Sequence, residues 1–148
     1  MQIRNATESD FDFILKANSD ISGHSHQSGI DPENQARLKS DLFGTNPKCW
    51  AIIAEDNGRS VGMALYSTVY FANEGQLCWV SQIYVIPEYR RHIATGLLVK
   101  KINEIAKQNN WLFICSAVDN ENSESNKLLS RVGATSLNNF TIWVAKAK

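Results

Sequence analysis

Net charge is the first absence. Fifteen lysines and arginines are balanced by fifteen aspartates and glutamates along 148 residues. No overall field steers the chain to nucleic acid or an anionic membrane, and any electrostatic recognition must be local. Cysteine is scarce as well. Cys49, Cys78 and Cys115 are odd in number, scattered and without CxxC spacing. That argues against a disulfide framework or a cysteine metal cluster and for reduced, buried thiols in strand-like stretches. No apolar run reaches the ~20 residues that span a bilayer. Met1-Gln-Ile-Arg-Asn5 carries no signal-peptide hydrophobic region, so a cytoplasmic location is expected. Repeats, low-complexity tracts and linkers are missing too. A chain of this size suits one domain, 1–148, burying roughly 70% of its unfolded surface.

The segments that are present alternate in period. A short strand around Ile3 opens the chain. Thr7-Glu-Ser-Asp10 reads as a helix cap, followed by Phe11, Ile14 and Leu15 on one face. Residues 17–30, polar and rich in Gly and Ser, read as a loop. Asp31-Pro32 starts a second helix that carries Leu38 and Leu42 to Gly44. Strands at 50–55 and 60–71 flank Asp56-Asn57-Gly58, a hairpin signal because a type I′ turn needs positive φ at both central residues. A turn over 72–75 then leads into a third antiparallel strand, 77–85.

Beyond that strand, Ala94, Leu97, Leu98, Ile102, Ile105 and Ala106 recur at helical spacing, with Lys100, Lys101, Glu104 and Lys107 on a solvated face. Residues 111–118 read as a buried strand. Strand, helix and strand in succession make a crossover, so this strand should lie parallel to 77–85. Asn122 caps a short helix with Leu128, Leu129 and Val132, closed by Gly133, and residues 141–144 form a last strand. The order β-α-α-β-β-β-α-β-α-β is of the α/β class: a mixed sheet with helices on both faces.

The most informative stretch is Ser81-Gln-Ile-Tyr-Val-Ile-Pro-Glu-Tyr-Arg-Arg-His-Ile-Ala-Thr-Gly-Leu-Leu98. A strand stops at a proline and passes through a basic loop straight into an amphipathic helix. Amides at a helix start point outward unpaired, and the macrodipole adds partial positive charge there. With Arg90, Arg91 and His92 on the approach, this is a place for a phosphate.

These residues carry a resemblance. "IYVIPEYRR…IATGLL" is similar to the acetyl-CoA motif of the GNAT superfamily of acyl-CoA-dependent N-acyltransferases. "VDNENSESNKLLSRVGA" is similar to the strand–helix segment that follows it, and the likeness extends over nearly the whole chain. The aromatic strand running into a Tyr-Val-x-Pro-x-Tyr-Arg turn resembles the diamine-acetyltransferase-like members. The resemblance implies a GNAT fold and acetyl-CoA as co-substrate. It implies that Ile83, Tyr84 and Val85 offer main-chain groups to the pantetheine and thioester carbonyl. Amides of Arg91, His92, Ile93, Ala94 and Thr95, with Arg90 and Gly96 beside them, would hold the pyrophosphate. Asn122 would bond the pantetheine arm, with Ser125 lining the same channel.

The chain departs from the family pattern at three places. The loop pattern R/Q-x-x-G-x-G/A has no glycine here: Arg90-Arg-His-Ile-Ala-Thr95 drops one residue between His92 and Ile93 in the neatest alignment. Leu129 stands where a tyrosine usually protonates the leaving thiolate. Ser81 and Gln82 stand at the catalytic strand positions where diamine-type relatives place an acid. Neither is a base, and Glu74, Asp119 and Glu121 are the nearest acids in sequence.

Other candidates are weaker. His24-Ser-His26 lacks a third ligand for zinc, so no metal is expected, though a loop at this place could touch the acceptor. Tyr66 and Tyr70 could line an acceptor pocket, with sheet packing as the simpler role, and the tryptophans at 50, 79, 111 and 143 fall in strands that suit a core. The function expected is direct acetyl transfer from acetyl-CoA to a small-molecule or peptide primary amine, in a homodimer or a monomer, with no covalent intermediate. The alternative is a catalytically weak or inactive member that binds acyl-CoA as a sensor or interaction module.

Overall fold

Asn57 and Gly58 adopt φ of +50° and +77°, and Asp56 pairs with Arg59 across them, so the expected type I′ turn forms. It joins β2 (Cys49–Asp56) to β3 (Arg59–Phe71), and a turn ending at Gly75 (φ +77°) joins β3 to β4 (Gly75–Val85). The computed structural model describes residues 1–24, 30–90, 93–137 and 145, with side chains from residue 22 to 24 left aside. The last strand expected at 141–144, Trp143, His26, Arg91 and His92 lie outside the described residues.

These residues fall into two units, Met1–Ser116 and Ala117–Lys148. In the first, β1 (Gln2–Asn5) and β2 to β4 form an antiparallel run, and β5 (Ile114–Cys115) joins β4 in parallel, giving the order β1-β2-β3-β4-β5. The mixed sheet matches the expectation. Gly62 pairs with Val85 and lies against Leu98 of α3 (Ala94–Gln108), while the neighbouring Tyr84 meets the Phe13 ring of α1 (Phe11–His24) edge-on at 6.3 Å. Adjacent residues of a strand point to opposite faces, so α1 and α3 cover opposite faces of the sheet. Ile14, Ile52, Ile53, Met63 and Leu98 are the largest side chains fully buried between these layers.

The helix starts follow local chemistry. Asp31 accepts from the Asn34 amide at 2.8 Å, Pro32 opens α2 (Pro32–Phe43), and Gly44 ends it. Asp10 accepts from the Thr7 amide at 2.9 Å and is gripped by both terminal nitrogens of Arg4, at 2.7 and 2.8 Å. Arg4 also donates to Glu55 at 2.7 Å, so the pair bridges β1, β2 and the start of α1.

Two expectations are corrected. The loop read from residue 17 is helix as far as His24. Ala17 and Asn18 are buried and Ile21 packs on the core, so the spacing of Ile14, Ala17 and Ile21 carried the helix through a polar composition. The buried strand read over 111–118 is only Ile114–Cys115, and Leu112, Phe113 and Ile114 are 69%, 54% and 43% exposed among the described residues. Its ladder holds two pairs, Cys78 with Ile114 and Trp79 with Cys115, and stops where β4 departs from regular geometry. None of the described helices is long and apolar enough to cross a membrane.

In the second unit, α4 (Ser123–Arg131) is capped as expected: Asn122 Oδ1 accepts from the Ser125 amide at 3.1 Å. Gly133 (φ +81°) closes it, with Gly133 N bonded to Ser130 O at 3.1 Å and Ala134 N to Leu129 O at 3.0 Å, a Schellman motif.

Candidate active site

Leu65 of β3 pairs with Gln82 of β4, but the next residue, Tyr66, pairs with Val80. Ser81 is therefore an extra residue, a β-bulge, and its Oγ donates to the Leu65 carbonyl at 3.1 Å. A bulge bends its strand, and here the bend coincides with the end of the β4–β5 ladder at Trp79 and Cys115. From Val80 to Val85, β4 has no β5 partner among the described residues. On that edge the main chain of Ile83 and the Val85 amide have no ladder to satisfy them, while the Val85 carbonyl is met by Arg90 Nε. The sheet is thus opened within a single strand, next to Ser81 and Gln82.

The strand then hands over to the phosphate-type turn. Ile86 N is tied to Val61 O at 3.0 Å, and a 3-10 turn over Pro87–Tyr89 follows. Arg90 folds back so that its Nε donates to the Val85 carbonyl at 3.1 Å. Tyr89 donates to Asp56 at 3.1 Å, a carboxylate that also holds the Met1 ammonium at 3.2 Å, and this bond raises the phenol pKa.

α3 opens at Ala94 behind Ile93, which makes no side-chain cap, and its first turn holds no acidic residue. The Leu97 amide bonds to the Ile93 carbonyl at 2.9 Å, so the amides of Ala94, Thr95 and Gly96 precede the helical ladder. Ile93 is exposed, and nothing lies within 4 Å of a Cβ placed on Gly96. The helix opens directly after the loop, as the sequence led one to expect, and its start is uncapped and free of acids.

One part of the site was not expected. Gln82 and Tyr84, two residues apart on one strand face, both reach α1. Gln82 Nε2 donates to Asn18 Oδ1 at 3.0 Å, and Tyr84 Oη donates to Asp20 in a short hydrogen bond. Tyr84 is buried, and burial, then the bond to Asp20, pushes its phenol up to about 12. Gln82 Oε1 is buried with no donor among the described residues. Asn18 and Asp20 were lost in what read as a loop; the continuing Ile14–Ala17–Ile21 spacing was the signal that could have found them.

The remaining candidates separate. Tyr66 stacks on Trp50 at 5.8 Å and packs in the sheet, whereas Tyr70 is exposed. Trp50 and Trp111 are partly buried against the core, and Trp79 is also partly buried. Cys78 is buried and its thiol is pushed up to about 11 by that burial, while Cys49 and Cys115 are half-buried; all three are free thiols. Asn122, Ser125 and Leu129 lie in the second unit, Asn122 exposed and the other two partly buried. Among the described residues no three His, Cys, Asp or Glu side chains come together as a metal site.

With a bulged central strand and an uncapped helix start in place, comparison with known proteins gives the class. The acetyltransferase (GNAT) family matches residues 12–134, and the chain belongs to that family; it is an N-acyltransferase. Among its relatives, the thialysine N-epsilon-acetyltransferase of Mus musculus is 28% identical over 97% of this chain and 89% of its own length. The same enzyme of Sus scrofa is 28% identical over 95% of this chain and 88% of its own. An aminoglycoside N-acetyltransferase in complex with CoA superposes with a TM-score of 0.82 at 14% identity, covering 99% of this chain and 95% of that one, a likeness of fold.

Proposed function

We propose that the chain transfers an acetyl group from acetyl-CoA to a small-molecule primary amine by direct attack, with both ligands bound together. The observation that carries this reading is the bulge at Ser81, where the β4–β5 ladder ends and leaves the main chain of Ile83 and the Val85 amide, which face away from β3, to receive the pantetheine and thioester, with Tyr84 between them bonded toward β3. The uncapped amides of Ala94–Gly96 supply the pyrophosphate site, with the Arg90–Ile93 approach contributing positive charge. In the second unit Asn122 Oδ1 is committed to its own helix, which leaves the Asn122 amide nitrogen free to donate.

In the reaction the neutral amine attacks the thioester carbon, forming the C–N bond, and the carbonyl oxygen becomes an oxyanion that β4 amides stabilise. Collapse breaks the C–S bond; nitrogen gives its proton to water, and the thiolate is protonated by water. A thiol with a reference pKa near ~8.5 leaves well enough for water to protonate it, which makes Leu129 in place of a tyrosine tolerable. A general acid contributes ~10²–10⁴-fold, so its loss sets a slow rate and not a dead site. Deprotonating a lysine-like amine of pKa ~10.4 at pH 7 costs about 4–5 kcal/mol, and neither Ser81 nor Gln82 can take that proton. An amine of lowered basicity, as in a side chain interrupted by a thioether like that of thialysine, reduces this cost.

The test is thiol release from acetyl-CoA against a panel of thialysine, lysine, polyamines, aminoglycosides and peptides. Acceptor-dependent release above the blank is expected, greatest for small aliphatic amines. Tight CoA binding with no release for any amine would overturn the transfer reading in favour of a sensor.

A further inference from the structure

Five described carboxylates escape full exposure: Asp10, Asp20, Asp41, Glu55 and Asp56. Four of them are matched by a cation. Arg4 reaches Asp10 and Glu55 at 2.7 Å, Lys48 reaches Asp41 at 3.1 Å, and the Met1 ammonium reaches Asp56 at 3.2 Å. Asp20 alone has no ion pair among the described residues; its partner is the neutral Tyr84 hydroxyl. Removing a carboxylate from bulk water without a counter-charge is costly, and the chain avoids it at every other such position.

The surroundings share the same imbalance. Gln82 uses its amide nitrogen on Asn18 and leaves Oε1 buried without a donor, two residues along β4 from Tyr84, about 7 Å in an extended strand. The charged groups acting on Tyr84 besides Asp20 are Glu88 and Arg90, and Arg90 has its Nε committed to the Val85 carbonyl. Among the described residues this seam between α1 and β4 thus has surplus acceptors and a carboxylate without an ion pair, with Arg90 the one cation nearby. It borders the strand on which acyl transfer has been placed.

Resting on the transfer reading above, we propose that Asp20 is the specificity-determining residue for the acceptor, binding its ammonium group. Tyr84 holds the carboxylate in place through one oxygen, and Gln82 Oε1 offers the incoming cation a second hydrogen-bond acceptor. The ligand class is a primary aliphatic amine that is protonated at neutral pH, and the role is recognition of the arriving ammonium, whose nitrogen gives its proton to water and leaves Asp20 before it attacks.

Calorimetry with CoA present, using thialysine and its uncharged ω-hydroxyl counterpart as probes, tests this on the full chain. Asp20→Asn should weaken thialysine binding roughly 10- to 100-fold, as expected for a lost charge-assisted bond. Affinity for CoA and for the hydroxyl probe should stay within about twofold, and Asp20→Glu should recover most of the thialysine binding. Unchanged thialysine affinity in Asp20→Asn overturns the proposal. So does a parallel fall in CoA affinity, the mark of a purely structural role, or failure of the wild type to bind thialysine. Asp20-dependent binding without thiol release would remove the transfer reading and leave this inference standing; release indifferent to Asp20→Asn would do the reverse.

Discussion

Ser81 donates its hydroxyl to the Leu65 carbonyl across the point where β3 and β4 lose register, at 3.1 Å. That hydroxyl fastens the bulge, and its proton is spent on the fold. Ser81→Ala should therefore cost about 0.5–1.5 kcal/mol in urea denaturation, the net worth of one hydrogen bond. Thiol release should fall less than about tenfold, since a group that only shapes the strand is not asked to supply the ~10²–10⁴ of a general acid or base. Loss of release by several hundredfold with normal stability would make the hydroxyl chemical.

The Arg4–Asp10 pair makes a stability prediction with a definite sign. Two guanidinium bonds hold the Asp10 carboxyl at about 2, down from 3.8. A depressed carboxylate pKa stabilises the fold above the unfolded value and loses that contribution as pH falls from about 4 to about 2. The shift corresponds to about 2 kcal/mol. Asp10→Asn, which also strands Arg4, should lower stability by about 3–5 kcal/mol at pH 7. In urea titrations the gap between wild type and variant should narrow through that acid window, and a gap independent of pH would refute the assignment.

Local chemistry was legible in the sequence, and contacts between distant residues were not. Asn57-Gly58, Asp31-Pro32 and the Asn122–Gly133 caps each act within a few residues, and each forms as read. The start of α3 directly after the loop belongs with them. The bulge is different: one extra residue in β4 shows only against the register of β3, and nothing in the alternation around Ser81 announces it. The seam is harder still, because Gln82 meets Asn18 and Tyr84 meets Asp20 across 64 residues. Asn18, Ser19 and Asp20 looked like loop because composition outweighed the helical spacing of the apolar residues around them. The strand at 111–118 failed for the opposite reason: an apolar run suggested burial, while strand length was set by the bend in its neighbour.

Gly62 marks a close approach that the site depends on. A Cβ there would sit 3.0 Å from the Tyr84 carbonyl oxygen, 3.1 Å from Val85 Cγ2 and 3.4 Å from Leu98 Cδ1. The first contact is backbone and cannot swing aside. Gly62→Ala should cost about 1–3 kcal/mol by overpacking. Because the displaced atoms belong to β4, thiol release should also drop in protein that remains folded. A melting temperature and release rate equal to wild type would show that the sheet absorbs the methyl group without moving β4.

Gly96 separates stability from ligand binding at the start of α3. It occupies the third helical position, is exposed, and has open space where a side chain would project. Glycine is a poor helix residue by about 1 kcal/mol, and a carboxylate in the first turn gains a further ~0.3–1 kcal/mol from the macrodipole. Gly96→Glu should therefore raise the melting temperature by a few degrees, given ~2–4 °C per kcal/mol for a chain of this size. The same charge would stand among the amides proposed to hold the pyrophosphate, so CoA affinity should fall tenfold or more. Gly96→Gln provides the control: similar helix propensity and bulk, no charge, hence added stability with a much smaller loss of affinity. If calorimetry finds CoA bound equally by Gly96→Glu and wild type, the diphosphate does not sit at this helix start, and the cofactor must be placed elsewhere on the chain.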